Sequence, residues 1–380
     1  MKINIVGNVV NFGYNLGKWL NDKGYKIDFF LFDAGFQRDL PEWEKDYGLT
    51  EIPITRFSAR VVHRPLFPWM EVINKIGKCD VIISIGGYET ILASRTGTPH
   101  IFWSMGNDLE KVPFSTQNIH ARLCALVLRR ALKRCKYIVY SMAFQKLTSI
   151  PRLRIKNTVF LPVPWDCQIY KKIELGQALR CIPFDFNSYE LIVFAPARHE
   201  IDPRRYHYKG NEQIVLGFKE FFKKFSGKAC LVFTRYGDYI ATGKLVEYLN
   251  LREKVFFIDM LNKEDLRAMY SLPNIVVCDQ FLPYPMTSPG FISIEALLCE
   301  VPLITTWDTE ILDMVYDNQP PVFHARNAAD ICNRLLEVSK FSCEQRRENG
   351  LIGRNWVVVN HSKDSILPRF EALMKDAIGF

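Results

Sequence analysis

The sequence predicts an α/β protein built from two Rossmann-like domains that follow one another along the chain. The 380 residues exceed what a single hydrophobic core usually serves. In each half, short apolar segments alternate with segments of helical period, which is the pattern of a parallel sheet with helices on its faces. A stretch without a clear period, residues 166–188, separates the halves and is predicted to be a linker.

The first half, residues 1–165, is predicted to form one domain. Its predicted strands are 2–7, 26–32, 79–85, 100–103 and 136–141. Its predicted helices are 14–23, a helix that begins near residue 88, and 119–134. Gly24 directly follows the first helix, at a position where glycine commonly ends helices.

The second half repeats this alternation over residues 189–355. Its predicted strands are 191–195, 229–234, 255–258, 274–278 and 303–305, and its predicted helices are 212–225, the 240s to 249, 266–271 and 292–299. The tail from residue 343 to 380 has helical character. Ligands of open α/β sheets bind beyond the carboxyl ends of the strands, so the sequence predicts two sheets that face one another across a ligand-binding cleft.

Composition indicates a globular protein of a reducing compartment. No run of about 18 uncharged apolar residues is present, and the start lacks the basic and apolar regions of a signal peptide. The ten cysteines are scattered without a C-x-x-C pair, which is typical of free thiols and argues against a zinc or redox motif. We therefore expect a cytoplasmic protein.

Positive charge is concentrated in the first half. Residues 1–170 hold 23 Lys and Arg against 14 Asp and Glu, and no acidic residue lies between Glu110 and Asp166. Such a field attracts phosphate-bearing partners, among them anionic lipid, a lipid-linked pyrophosphate and nucleic acid, although a solvated face has the same composition. No nucleic-acid recognition motif or interleaved stacking aromatic occurs there. We therefore expect residues 119–156 to dock peripherally on an anionic membrane surface, on its inner face, without binding nucleic acid.

Two cations in the second half are placed to bind a diphosphate. Arg198 follows the strand 191–195, and Lys209-Gly210 precedes the helix that begins near residue 212. Two cations near a helix N-terminus can neutralise a diphosphate, since arginine offers a forked pair of donors and lysine a compact charge.

A second stretch, residues 289–302, offers backbone amides and a carboxylate that could bind the same ligand. Gly290 permits close backbone approach just before a helix, so the amides there can face a phosphate. Glu295 lies among Ile294, Ala296 and Leu297, and this setting predicts a buried carboxylate that needs partners, such as the paired hydroxyls of a ribose. Gly237, after the strand 229–234, fits a loop that faces a base, and it fits a simple turn equally well.

Together these stretches resemble the retaining glycosyltransferases of family 4, which have the GT-B fold. The family's arginine after the first strand, its Lys-Gly and its E-A-M/L-x-x-G-x-P motif match Arg198, Lys209-Gly210 and residues 295–302. Residues 160–166 are similar to the family's interdomain segment. The resemblance implies that Arg198 and Lys209 hold the diphosphate of a UDP- or GDP-linked sugar and that Glu295 holds the ribose. It further implies that the amides of Gly290, Phe291 and Ile292 bind the phosphate or sugar, and that a helix over 356–380 returns to the first domain.

The sequence departs from the family pattern at three places. Thr287 stands where the motif opens with glutamate, Cys299 or Glu300 where it has glycine, and Met105 where the first domain often has histidine. We therefore expect the contacts that orient the sugar to come from Asp279, Gln280, and Asn107 or Asp108. The acceptor side is expected to be shaped by residues 8–13, including Gly13, and by Gly86-Gly87.

The resemblance implies transfer with retention, in which the leaving diphosphate helps to deprotonate the acceptor. Docking of the basic helix 119–134 on a membrane would make the acceptor a lipid-linked or growing glycan. No D-x-D motif stands at a strand end and the seven histidines are dispersed, so we expect a reaction without metal or cofactor. Two alternatives stay open. One is an inactive homologue that binds nucleotide sugar, and the other is an inverting GT-B enzyme, for which His63, His100 and Asp108 are the candidate bases.

Overall fold

A computed structural model describes residues 1–33, 40–41, 52–174, 176, 185–203, 208–282 and 289–379. The chain divides into two compact units. The first unit comprises Met1–Pro164 and Asp364–Phe380, and the second comprises Trp165–Lys363. Thr287 lies outside the described residues.

Within the described residues, the first unit contains a parallel sheet of seven strands in the order β3-β2-β1-β4-β5-β6-β7. The strands are β1 (Lys2–Val6), β2 (Lys26–Phe32), β3 (Ile54–Phe57), β4 (Val81–Ile85), β5 (His100–Ser104), β6 (Tyr137–Tyr140) and β7 (Thr158–Phe160). The helices are α1 (Phe12–Asp22), α2 (Arg60–His63), α3 (Met70–Ile76), α4 (Gly87–Ala93), α5 (Asn107–Glu110), α6 (Ile119–Arg134) and α7 (Ser149–Leu153).

In the part of the second unit that the structure describes, the sheet is parallel and has six strands in the order β10-β9-β8-β11-β12-β13. The strands are β8 (Leu191–Ala195), β9 (Ala229–Thr234), β10 (Val255–Ile258), β11 (Ile275–Asp279), β12 (Leu303–Thr305) and β13 (Phe323–His324). The helices are α8 (Asn211–Lys224), α9 (Tyr239–Tyr248), α10 (Lys263–Tyr270), α11 (Phe291–Leu298), α12 (Thr309–Asp313), α13 (Ala328–Ser339) and α14 (Cys343–His361). The last helix of the chain, α15 (Lys363–Ile378), belongs to the first unit from Asp364 onward.

Both sheets are buried on their two faces, which explains the continuous apolar runs of their strands. In the first unit, the ring of Trp103 lies 4.9 Å from that of Phe12 and 4.7 Å from that of Phe370. Because Phe370 lies on α15, the end of the chain completes the core of the first unit. The α/β fold with two parallel sheets is confirmed.

The returning segment begins later than the sequence indicates. Trp356, where the sequence places its start, stays in the second unit, where its ring lies 5.1 Å from that of Tyr316. The indole of Trp356 also donates to the carbonyl of Asn318. The helical tail breaks at Ser362, and the chain joins the first unit at Asp364. No helix among the described residues is long and apolar enough to cross a membrane.

Candidate donor and acceptor sites

The carboxyl edge of the second sheet gathers most of the donor-side candidates. Strand β8 lies between β9 and β11, with Ala195 opposite Phe233 and Phe194 opposite Val277. Because the strands are parallel and in register, the segments that follow them meet at one edge. These segments carry Arg198 and Gly237, and Asp279 ends β11 itself.

Arg198 is held in place by the turn after β9. Its guanidinium lies 5.5 Å from the centre of the Tyr236 ring. Gly237 has φ +80°, and a Cβ there would stand 2.8 Å from Cγ of Arg198 and 2.4 Å from the carbonyl of His199. The two loops therefore approach each other as closely as only glycine permits. Gly237 supports the arginine, which is a more specific role than the simple turn that the sequence also allowed.

His199 is the buried anchor of this turn. Its Nε2 lies 3.0 Å from the carbonyl of Thr234 and its Nδ1 lies 2.8 Å from Oγ1 of Thr242. Burial lowers the pKa of His199 to about 4, so the ring is neutral at physiological pH. A neutral ring donates to the carbonyl through Nε2 and accepts from the hydroxyl through Nδ1, which fixes the loop that carries Arg198.

Lys209 is brought to the same edge by a close backbone contact. Gly210 has φ +74°, and a Cβ there would stand 2.3 Å from the carbonyl of Phe281. The amide of Phe281 donates to the carbonyl of Lys209 at 2.9 Å. This pairing places Lys209 beside the end of β11, where its charge opposes the effect of burial on the pKa of Asp279.

Asp279 is almost fully buried, and only part of the hydrogen-bonding capacity of its carboxylate is used. Ser293 on α11 donates its hydroxyl to Oδ2 of Asp279 at 2.8 Å, whereas Oδ1 has no partner among the described residues. A Cβ on Gly290 would stand 3.4 Å from Oδ2 of Asp279 and 2.2 Å from Nε2 of Gln280. Burial raises the pKa of Asp279 in spite of Lys209 and Ser293. The start of α11, with Gly290, Phe291 and Ile292, thus lies against this carboxylate.

Glu295 faces two residues that the sequence did not indicate. Burial raises the pKa of Glu295, and the nearby charge of Lys263 opposes that rise. Burial in turn lowers the pKa of Lys263, the first residue of α10. Tyr270, at the end of α10, is fully buried, and its hydroxyl has no partner among the described residues. Burial and the carboxylates Glu295 and Asp279 raise the pKa of Tyr270 well above its ordinary value.

Glu300 occupies a backbone conformation that favours glycine. It has φ +56°, whereas the preceding Cys299 has an ordinary φ of −87°. Of the two positions that the sequence left open, Glu300 is therefore the one whose backbone has the conformation that glycine favours. Its carboxylate lies 4.0 Å from the ammonium of Lys172.

We expect Glu300→Gly to raise the free energy of unfolding by about 1 kcal/mol, because glycine adopts the left-handed region without the cost that a side chain incurs. The lost contact with Lys172 is partly exposed and contributes little. Urea denaturation measures the gain, and Glu300→Ala is the matched control that removes the carboxylate but keeps the Cβ. A gain of equal size in the alanine variant would contradict the backbone explanation.

The first unit has its own cluster of glycines at the carboxyl edge of its sheet. Strands β1 and β4 are neighbours, and they end next to Gly7 and Gly86. A Cβ on Gly13 would stand 2.4 Å from the carbonyl of Gly7, and one on Gly87 would stand 3.6 Å from the carbonyl of Asp108. Of the acceptor-side candidates, Gly13 therefore lies against Gly7, and Gly87, which follows Gly86, lies near α5.

The carboxylate of Asp108 is occupied by donors of its own loop. It accepts from the hydroxyl of Ser104 at 2.8 Å and from the amides of Met105 at 3.0 Å, Gly106 at 2.9 Å and Leu109 at 3.0 Å. Burial raises the pKa of Asp108, and these bonds oppose the rise only in part. We therefore assign Asp108 to holding the turn after β5 and not to proton transfer. The neighbouring Asn107 has a buried Oδ1 without a partner among the described residues.

The two histidine candidates of the first unit lie in different settings. His100 is buried in β5 with its Nε2 3.2 Å from Sγ of Cys135, and burial lowers its pKa to about 4. His63 is an exposed residue at the end of α2. No group of three or more metal-ligating side chains that could hold an ion occurs within the described ranges.

Helix α6 presents a face that is both basic and apolar. Its buried side consists of Ala121, Cys124, Ala125, Leu128, Ala131 and Leu132. Leu123 and Leu126, which the sequence counts among the apolar positions of this helix, are instead exposed, as is Ile119 at 78%. Exposed cations surround them, namely Arg122, Arg129, Arg130, Lys133 and Arg134.

Sequence comparison finds no matching family model and no matching curated protein. Solved structures do match over almost the whole chain. They include Anabaena HepE in complex with UDP and glucose (TM-score 0.74, 13% identity, 98% of this chain and 99% of that chain). A glycosyltransferase from Rickettsia africae matches with TM-score 0.70 and 15% identity over 100% and 98% of the two chains. The sucrose-phosphate synthase of Thermosynechococcus elongatus matches with TM-score 0.69 and 14% identity over 99% and 98%. At these identities the likeness shows the fold, which is the two-sheet α/β fold of GT-B glycosyltransferases.

Proposed function

We propose that this protein is a glycosyltransferase that moves a hexosyl group from a UDP- or GDP-linked sugar to a glycan or lipid-linked acceptor. One observation carries the proposal. Arg198, Lys209, Gly290 and Asp279 converge at the carboxyl edge of the second sheet, at the site that ligands of open α/β sheets occupy. Structures of Anabaena HepE that match this chain hold UDP or UDP-glucose, which supports the same ligand class here.

Each residue has a distinct task in this proposal. Arg198 and Lys209 neutralise the diphosphate, and they stabilise it further as it leaves. The amides at the start of α11 bind the phosphate or the sugar, and Glu295 accepts hydrogen bonds from the ribose hydroxyls. Asp279 contributes an oxygen with no partner among the described residues, a suitable acceptor for a sugar hydroxyl. We propose transfer with retention, without metal or cofactor.

A second candidate is transfer with inversion, which needs a base on the acceptor side. The observation that favours it is Glu89 of the first unit, whose pKa burial raises to about 7. The two candidates differ in the anomeric configuration of the product, which nuclear magnetic resonance of the isolated glycoside determines.

A thermal-shift screen tests the donor site. We expect UDP or GDP to raise the melting temperature, and uridine or guanosine to do so much less, because the two cations act on the diphosphate. Arg198→Ala should abolish the shift, whereas Arg252→Ala, which removes an exposed arginine, should preserve it. A shift that survives in the Arg198 variant would contradict the assignment, and binding without turnover of any sugar conjugate would favour the inactive homologue.

We also propose that residues 119–156 dock on an anionic membrane surface, at the inner face of a cytoplasmic membrane. The exposed side of α6 combines aliphatic side chains with cations, the composition of helices that lie in a lipid interface. Liposome flotation should show salt-sensitive binding to vesicles that contain phosphatidylglycerol and weaker binding to phosphatidylcholine alone. Equal binding to both would contradict the proposal.

A further inference from the structure

The side chain of Glu89 packs against the backbone of two glycines at the carboxyl edge of the first sheet. It is the third residue of α4, directly after β4. A Cβ on Gly86 would stand 2.2 Å from Oε2 of Glu89, and a Cβ on Gly7 would stand 2.8 Å from its Cγ. Gly86 has φ +112° and Gly7 has φ +97°. The side chain of Glu89 therefore fills the space that two absent side chains leave above the ends of β1 and β4.

No cation among the described residues acts on the carboxyl of Glu89. The groups that act on the pKa of its carboxyl are the backbone amides of Glu89 and Tyr88, which lower it, and the carboxylate of Asp108, which raises it. Glu89 in turn raises the pKa of the Tyr88 phenol. Glu89 is half-buried, and a carboxylate withdrawn from water normally has a cationic partner or several donors. Within the described chain, Glu89 has only the amides, so it retains lone pairs for a further donor.

A helix cap does not account for this arrangement. A glutamate at this position of a helix commonly reaches back to the N-cap amide, and the helix dipole then stabilises its charge. Here the pKa is raised to about 7, because burial outweighs the two amides. The site therefore maintains an ionisable carboxylate at an energetic cost, as functional sites often do.

We propose that Glu89 binds the reacting hydroxyl of a neutral sugar acceptor in the first unit. The inference rests on the proposed glycosyltransferase function and names the acceptor class for it. A hydroxyl donates a hydrogen bond to the free lone pairs of the carboxylate. A phosphate or carboxylate at this position would meet Glu89 and Asp108 and be repelled. The acceptor therefore presents an uncharged sugar hydroxyl here, and the reacting sugar itself carries no phosphate.

The test compares the wild-type protein with Glu89→Gln, which keeps the shape of the side chain but removes its charge. Glu71→Gln is the matched control, because it removes an exposed carboxylate of the same unit. The readout is the release of nucleoside diphosphate from UDP- and GDP-sugars, first with water as the acceptor. Glucose, galactose, mannose and N-acetylglucosamine are then added, and each is compared with its 6-phosphate.

We expect Glu89→Gln to lower kcat at least tenfold in the reaction with water and in the reaction with sugars, while the affinity for UDP or GDP changes less than twofold. The wild-type rate should rise with pH through about 7, since only the ionised carboxylate is a full acceptor, and the glutamine variant should lack that rise. Neutral sugars should accelerate release and their phosphates should not. If no sugar of the panel accelerates the release of nucleoside diphosphate, the inference is tested by the effect of Glu89→Gln on the rate with water as the acceptor.

Two results would overturn the inference, and both differ from failure of the proposed function. One is a Glu89→Gln rate within twofold of the wild-type rate, with the same pH profile. The other is faster release with sugar phosphates than with neutral sugars. If the wild-type protein neither binds nor turns over any nucleotide sugar, the glycosyltransferase proposal itself fails, and the inference about Glu89 fails with it.

Discussion

Lys209→Ala should lower the free energy of unfolding by about 3 kcal/mol at pH 8, because it leaves the buried carboxylate of Asp279 without its cation. The loss should depend on pH. Without Lys209 the pKa of Asp279 rises further, so the folded state binds a proton more tightly than the unfolded state does. A folded-state pKa above the unfolded value means that stability falls as pH rises, so the loss is large at pH 8 and small near pH 4. Guanidinium denaturation at the two pH values measures it.

The double variant Lys209→Ala/Asp279→Asn separates charge from packing. Asparagine cannot ionise, so it should recover most of the stability that the single variant loses at pH 8. Lys223→Ala, which removes an exposed lysine paired with Glu220, should change stability by less than about 1 kcal/mol. If Lys209→Ala is as stable as the wild-type protein at pH 8, Lys209 does not stabilise the ionised carboxylate of Asp279.

Glu89→Gln should raise the free energy of unfolding by about 3 kcal/mol at pH 8, the equivalent of the pKa difference between about 7 in the fold and 4.5 in an ordinary glutamate. The sign follows from linkage. Because the folded-state pKa is raised, the folded state is favoured while Glu89 is protonated, and that advantage is lost as pH rises from about 4.5 through about 7. Glutamine carries no charge at any pH, so its gain should be near zero at pH 4 and complete at pH 8.

The control for this prediction is again Glu71→Gln. Glu71 is exposed and pairs with Lys75, which lowers the pKa of Glu71, so its removal should give no gain at pH 8. If the variant gains no more stability over the wild-type protein at pH 8 than at pH 4, Glu89 ionises as easily in the folded state as in the unfolded state. A variant that gains stability while it loses activity is the behaviour expected of a functional residue held at an energetic cost.

The helices and strands that the sequence predicted correctly have a clear hydrophobic pattern or a glycine that marks where they begin. The central strands of both sheets are continuous apolar runs, and Gly210 and Gly290 precede helices, so these positions were readable along the chain. The short edge strands β3, β7 and β13 were missed, because two to four residues carry no clear period. Leu123 and Leu126 are apolar and yet exposed, and a helix with apolar residues on more than one face does not reveal from its sequence which face is buried.

The contacts that complete the two sites could not be read from the sequence. Lys263 and Glu295 are 32 positions apart, and nothing local indicates that one influences the pKa of the other. Glu89 has the position of an ordinary helix-starting glutamate, and its setting depends on Gly7, which comes 82 positions earlier. The choice between Cys299 and Glu300 required the backbone angle, because both residues are compatible with the end of a helix.

The most direct test of the account is turnover of nucleotide sugars by the wild-type protein. Purified protein is incubated with UDP- and GDP-linked hexoses, with a panel of neutral sugars as acceptors, and the released nucleoside diphosphate and the glycoside are both measured. We expect release of one nucleoside diphosphate above the rate without protein, matched by a glycoside of single anomeric configuration when an acceptor is used. No binding and no release with any of these donors would contradict it.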